Sequence, residues 1–302
     1  MIDDGRPPTA DRDASTLAGI RPAHYISLNG GEPLSVDGAV IDEALACVSV
    51  NGEELATFMC TPSGLTELAL GFLYNEGIIK GLDDVRAHHI SRSGTCVDVW
   101  LHNTQFERPR RGIITAGCGG GLTFDDLSGN YEPLSSDTRA TPEQLADLMK
   151  QLHLGAELYQ TARGVHTAML AEIGPTGEAQ ALLQVEDIGR HNCLDKLQGA
   201  ALLAGIPTKD RILLSSGRIS SEMINKARRL ETPIVCSRTS PTSLSVALAE
   251  AWNITVVAYL RQDRMRVYTH PERVLIDDHR PQTTDHSQVS GRGPSAVVRG
   301  QP

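Results

Sequence analysis

The sequence predicts a mixed α/β protein (α+β overall), with a smaller β-rich N-terminal part and a C-terminal part where strands and helices alternate. Three observations predict it. From His191 to Leu260 the hydrophobic period switches between helix-like and strand-like stretches, at lengths that suit βαβ units on a sheet. Upstream, two β-type runs flank Asn51-Gly52, a pair that tolerates the positive φ of a type I′ hairpin turn. The chain has 302 residues, 40% hydrophobic and 22% charged, enough for a sizeable core and ordinary for a globular protein.

Taken in order, residues 1–22 are polar and Pro-rich and are expected to be disordered. Residues 23–125 form the expected β-rich part. It holds the hairpin ALACVSV-NG-EELATFM and then a helix, for which Pro62 and Ser63 suit the start. Leu65, Leu68, Ala69, Phe72 and Leu73 share one face of that helix, and Gly77 suits its C-terminal stop. A second hairpin is expected around Ser93-Gly94, with Cys96 to Trp100 as a strand. Arg111 to Ala116 is a further predicted strand, running into a glycine-rich loop.

The joint between the parts falls near 120–140, and residues 126–276 form the predicted α/β part. Its first helix begins after Thr141, with Pro142 in the first position and Glu143 near the positive end. Val165 to Glu172 and Ala179 to Glu186 read as strands joined by the turn Gly174-Pro175-Thr176-Gly177. His191 to Leu203, Ile219 to Leu230 and Ser243 to Trp252 read as helices. Arg211 to Ser215, Pro233 to Cys236 and Ile254 to Leu260 read as strands. Residues 277–302 are expected to be a disordered tail.

The net charge of -9 excludes a whole-surface attraction to nucleic acid or anionic membrane, while allowing a local basic pocket. The N-terminus lacks the basic-then-apolar layout of a secretory signal, and no apolar run is long enough to span a bilayer. A cytoplasmic protein with no nucleic-acid or membrane partner is expected.

The six cysteines, Cys47, Cys60, Cys96, Cys118, Cys193 and Cys236, show no short paired spacing. This argues against a disulfide framework and against a zinc knuckle. Five of them sit in apolar, periodic surroundings and are read as small buried hydrophobes. Cys118 differs, because it lies among four glycines in ITAGCGGGLT. Glycines leave backbone amides uncovered, and such amides stabilise a thiolate while a bare loop admits a large partner. That suits a nucleophile or a sulfur carrier, since persulfidation is a reversible state of such thiols. The loop alone favours the plainer reading, a glycine-rich turn that carries an incidental cysteine.

Two strand-to-helix junctions look alike, ILLSSGRISSEM and IVCSRTSPTSL. Ligands of open α/β sheets bind at carboxyl strand ends, and helix starts offer unpaired N–H donors. Ser216, Arg218, Ser237 and Arg238, with Ser220 and Thr239 beside them, could cradle a phosphate. Ordinary helix capping explains the hydroxyls as well. A third junction, EDIGRHNCLDK, gathers Glu186, Asp187, Arg190, His191, Asn192, Asp195 and Lys196, either for acid–base chemistry or as an ion-pair network. His166 is a further polar candidate just inside a strand.

Several long segments, in order from Asn29 to His270, resemble the FdhD family of formate dehydrogenase accessory sulfur carriers. They are GLTELALGFLYNEGII, GVHTAML, EDIGRHNCLDKLQGAALL, SSGRISSEMINKARRLETPIVCSRTSPTSLSVALA and YLRQDRMRVYTH. The resemblance implies a cytidine-deaminase-like C-terminal core and a sulfurtransferase-type relay. In the relay that the resemblance implies, a cysteine desulfurase would load sulfur on Cys118 as a persulfide. The carrier would then pass it to the molybdenum or tungsten cofactor, a bis(molybdopterin guanine dinucleotide), before insertion into formate dehydrogenase. The family's cofactor-binding stretch falls on Tyr259, Leu260, Arg261, Gln262, Asp263 and Arg264, and a homodimer is implied.

Zinc deaminases carry H-x-E and P-C-x-x-C. The comparable pieces here, His166-Thr167-Ala168 and Cys118-Gly119-Gly120-Gly121, lack the glutamate and the second cysteine, so no zinc and no deamination are expected. Many family members have a Cys-x-x-Cys loop where this chain has Gly121, and Cys193 is the expected substitute for the second thiol. The alternative function is a cofactor-binding chaperone without sulfur transfer.

Overall fold

A computed structural model describes residues 17–92, 94–106, 113–114, 122–123 and 131–276. The N-terminal strands are β1 (Ile20–Ser27), β2 (Leu34–Ile41), β3 (Ala44–Val50) and β4 (Glu53–Cys60). Helix α1 (Leu65–Asn75) leads to β5 (Val85–Ile90) and β6 (Cys96–Leu101), and short strands β7 (Ile113–Ile114) and β8 (Leu122–Thr123) follow. The C-terminal part runs α2 (Pro142–Leu154), α3 (Glu157–Ala162), β9 (His166–Ile173), β10 (Ala179–Asp187), α4 (Arg190–Ala204), β11 (Ile212–Ser215), α5 (Ser221–Arg229), β12 (Ile234–Ser237), α6 (Ser243–Ala251), β13 (Thr255–Ala258) and β14 (Arg266–Val267).

The predicted hairpin forms at Asn51 (φ 50°) and Gly52 (φ 88°), where left-handed backbone is required. β3 then sits between β4 and β6 in a sheet of order β4-β3-β6-β5, with β3 and β6 parallel. The predicted cap of α2 also forms. Thr141 and Gln144 make a reciprocal capping box, with Pro142 in the first turn.

The C-terminal sheet has six strands in the order β10-β9-β11-β12-β13-β14. β11, β12 and β13 are parallel and joined through α5 and α6, as the alternation predicted. β9 runs against β11 and β10 against β9, so β10 points the same way as the parallel three. Leu194, Leu213, Ile224, Val235 and Val256 pack on one side of this sheet, and Leu145, Leu148, Ile212, Ile234 and Val257 on the other. A separate core, with Val48, Leu70, Phe72, Leu73 and Val99, fills the space between α1 and the first sheet.

The two cores meet where α1 crosses α4. Gly71 faces Gly199 there, and a Cβ on either would overlap backbone of the other helix, at the Asp195 and Glu67 carbonyl oxygens. Glycine is required at both positions for this close approach.

Two expectations are corrected. Cys47 and Cys96 are not separate buried hydrophobes, because they form a disulfide. They stand 49 residues apart in sequence yet are register partners on β3 and β6, with Cα atoms 4.4 Å apart. Only strand pairing brings them together, so spacing alone missed it. Cys60, Cys193 and Cys236 are buried and free, as expected. The disorder expected to residue 22 stops short of it, since β1 begins at Ile20 and pairs with β2 along its whole length. Its mixed exposure leaves little period to read. Residues 1–16 and 277–302 lie outside the described residues. Among the described residues no helix is long and apolar enough to cross a membrane.

Candidate functional site

Because β10, β11, β12 and β13 point the same way, their carboxyl ends share one edge of the sheet. Antiparallel β9 starts there. Asp187, Ser215, Ser237 and Ala258, which end their strands, and His166, which begins β9, therefore sit along this edge on five neighbouring strands. This is the edge where ligands of such sheets bind.

The two look-alike junctions meet at this edge. Ser237 Oγ donates to the Gly217 carbonyl at 2.6 Å and accepts from the Thr239 amide at 3.0 Å. Ser216 Oγ accepts from the Thr167 amide at 2.9 Å. Both hydroxyls thus tie the loops to each other and to β9. Helix capping falls to other residues. Ser220 caps α5 through the Met223 amide, and Thr242 caps α6 in a capping box with Ser245. Arg218 is exposed, and Arg238 half-buried.

The stretch 259–264 leaves β13 at the same edge. Tyr259 turns the chain in a left-handed conformation, φ 51°. Its amide donates to the Thr239 carbonyl at 3.0 Å, and the Leu260 amide donates to the Ser237 carbonyl at 3.0 Å. Arg261 Nη1 donates to the Arg238 carbonyl at 2.6 Å and to the Leu260 carbonyl at 2.9 Å. The Arg218–Arg238 junctions and the 259–264 stretch, found separately in the sequence, are therefore one structure.

A cavity of about 300 Å³ opens beside it, lined by Tyr259, Arg261, Arg264, Met265 and Arg266. Leu260 is buried beneath, whereas Gln262 and Asp263 are exposed. Arg266 lies over the Tyr259 ring, 4.3 Å from its centroid. Partial burial and the like charges of Arg238 and Arg264 hold the Arg261 guanidinium below its usual range. Among the described residues none of these arginines has a carboxylate partner, unlike Arg21 with Asp42 or Arg211 with Glu172. Unneutralised cations crowded at a cavity mouth suit an anionic ligand.

The third junction is an ion-pair network. Lys196 Nζ lies 2.6 Å from Asp187 Oδ2, with both side chains almost fully buried. Asp187 also accepts from the Thr61, Gly189 and Asn192 nitrogens at 3.1, 2.7 and 2.9 Å. Lys226 Nζ lies 2.7 Å from both carboxylate oxygens of Asp195, and Asn75 donates to the same carboxylate at 2.8 Å. Burial opposes the Lys226 charge, but Asp195 and Glu222 together hold its pKa above the ordinary value. Thr61 and Asn75 belong to the N-terminal part, so the network joins the two cores.

His191 is 3.1 Å from Glu222 Oε2, but burial, then Lys226 and Arg190, push it down to about 2, so the ring is neutral. His166 lies 3.5 Å from Ser216 Oγ and is held below its usual range by burial and by Arg190.

Cys118 and Gly121 lie outside the described residues, between the β7 and β8 segments that pair Ile113 with Thr123 and Ile114 with Leu122. Cys193, the expected substitute thiol, is corrected by the structure. It is fully buried, its Sγ donates to the His166 carbonyl at 3.3 Å, and burial raises its pKa well above the ordinary value. Exchange chemistry needs an accessible thiolate, which this site denies. His153, Arg163 and Arg266 escaped the sequence reading. Arg266 lies two residues beyond a recognised stretch, but nothing local to His153 or Arg163 signals that they approach it.

Comparison with known proteins extends the picture. The chain is 36% identical over 250 residues to the sulfur carrier protein FdhD of Bacillus subtilis, covering 81% of this chain and 93% of that one. It is 37% identical over 257 residues to the protein of the same name from Halalkalibacterium halodurans, covering 83% and 93%. A crystal structure from Desulfotalea psychrophila, described as a formate dehydrogenase accessory protein, matches with a TM-score of 0.67 and 25% identity, over 85% of this chain and all of that one. The FdhD/NarQ family profile matches residues 41–275, which take in the Cys118 segment, both cores and the arginine-lined edge. On sequence and fold together, the chain belongs to the FdhD/NarQ family.

Proposed function

We propose that this chain is a sulfur carrier that serves formate dehydrogenase. The observation that carries this is the similarity to proteins named sulfur carrier protein FdhD along more than nine-tenths of their length, across the segment that contains Cys118. The thiolate of Cys118 attacks the outer sulfur of a cysteine desulfurase persulfide. The S–S bond of the donor breaks, the donor cysteine leaves as thiolate, and Cys118 becomes the persulfide. The carrier then delivers sulfur to a molybdenum or tungsten bis(molybdopterin guanine dinucleotide), its substrate. The work belongs in the cytoplasm, and the resemblance to the family extends it to a homodimer.

The edge chemistry supports an anionic cargo of this kind. Arg264 and Arg266 offer guanidinium donors to phosphate oxygens, and the Tyr259 ring adds an aromatic wall. Arg261 has a different part. Its Nη1 is engaged by both the Arg238 and the Leu260 carbonyls, so it holds the two loops in register.

Incubation of the full chain with a cysteine desulfurase and cysteine, followed by peptide mass spectrometry, tests the sulfur step. The expected result is a gain of one sulfur on the Cys118 peptide. A Cys118 peptide that never gains sulfur, under conditions that load a known carrier, overturns it. Full support of formate dehydrogenase by Cys118→Ala would favour a cofactor chaperone without sulfur transfer.

A further inference from the structure

The positive edge does not stop at the cavity. Arg238, whose carbonyl receives Arg261, places its Nη1 3.4 Å from His153 Nδ1 on α2. The His153 ring meets the Tyr159 ring edge-to-face at 6.0 Å, and Arg163 lies over the Tyr159 ring, 4.7 Å from its centroid. A continuous line of contacts thus runs from Arg264 and Arg261 through Arg238, His153 and Tyr159 to Arg163.

Three features set this line apart from a solvated charged face. Neither Arg163 nor Arg238 has a carboxylate partner among the described residues, though both are half-buried. Glu186, the carboxylate at the other end of α3, is engaged by the Leu158 and Tyr159 amides at 2.8 and 3.0 Å. Arg163 itself adopts φ 60° and ψ -159°, a region almost confined to glycine. Gly164 follows immediately, so chain reversal at this point did not demand an arginine. Burial, Arg238 and Arg163 all hold His153 below its usual range, which favours the uncharged ring that can accept from Arg238 at Nδ1.

We infer that Arg163 and Arg238, with His153 as the residue that positions Arg238, form an anion-binding extension of the Tyr259–Arg266 cavity. This extension rests on the cargo-binding function proposed above. It takes the more distant phosphates of an elongated guanine dinucleotide, while Arg264 and Arg266 take the nearer ones. Recognition is spread over two sites, so ligand length decides which residues matter.

Equilibrium binding to the full chain tests this with two probes, guanosine diphosphate and the longer diguanosine tetraphosphate. Arg264→Ala is expected to weaken both. Arg163→Gly, which relieves the backbone conformation while removing the cation, and Arg238→Ala are expected to weaken the longer probe about tenfold or more and guanosine diphosphate far less. His153→Gln, which retains an acceptor for Arg238, is expected to keep the wild-type affinity for the longer probe, whereas His153→Leu is expected to weaken it by no more than Arg238→Ala does. Equal affinities of wild type, Arg163→Gly and Arg238→Ala for the longer probe would overturn the extension and leave the cavity intact. If wild type binds neither probe, the guanine-nucleotide cargo fails with it, whereas sulfur loading on Cys118 is read separately.

Discussion

Around the start of α4, Asp187 meets Lys196 and Asp195 meets Lys226, and all four side chains are buried. Along the carboxyl edge of the same sheet, Arg238, Arg261, Arg264 and Arg266 stand together with no carboxylate partner among the described residues. In sequence the regions look similar, each a strand end followed by clustered charges. The difference lies in what neutralises the charge. Opposite charges are already matched at the first site, which leaves nothing for a ligand and joins the two cores. Like charges are unmatched at the second, which leaves the compensation to a ligand.

Truncation of one partner in the buried network separates the regions most strongly. Lys226→Met leaves Asp195 buried without its cation, and about 3–5 kcal/mol of stability should be lost. The double variant Lys226→Met/Asp195→Leu should recover much of it. Urea unfolding midpoints measure both, and a Lys226→Met protein as stable as wild type would break the distinction.

Next comes acid sensitivity. His191 titrates near 6.5 when unfolded but is pushed down to about 2 in the fold, so between these values the unfolded chain binds the additional proton. Its contribution is intact above 6.5 and is lost as pH falls through this window. His191→Gln should flatten that part of a stability-against-pH curve. Identical slopes for the two proteins would show that the ring is not kept neutral.

The smallest stability change belongs to the arginine edge. Arg264→Ala removes a repelling, exposed cation and should shift stability by no more than about 0.5 kcal/mol, while weakening guanosine diphosphate binding. Thermal unfolding and binding measured side by side would expose a structural role if the two fell together.

Much of the fold was legible because its signals are local. Asn51-Gly52, the Thr141-Pro142 helix start and the alternation from His191 onward each depend on neighbours in sequence, and each element formed where expected. Short, half-exposed pieces such as β1, β2 and α3 lacked a strong period and were missed. At the candidate site, residue types suggested a phosphate-binding edge but not the division of labour within it. Ser237 proved to be a tether between loops and Arg261 a clamp on carbonyls, because a side chain's partner depends on which backbone lies opposite.

The sequence by itself determined the mixed α/β class, the hairpin and helix boundaries, and the membership marked by long motifs from α1 to β14, because period, capping and turn chemistry act over a few residues. Only the tertiary structure decided that Cys47 reaches Cys96, that Gly71 meets Gly199, that Cys193 is sealed from solvent, and that His153 stands beside Arg238. Each of these joins positions far apart in the chain. Strand register and helix crossing set such distances, and one sequence read alone does not contain them.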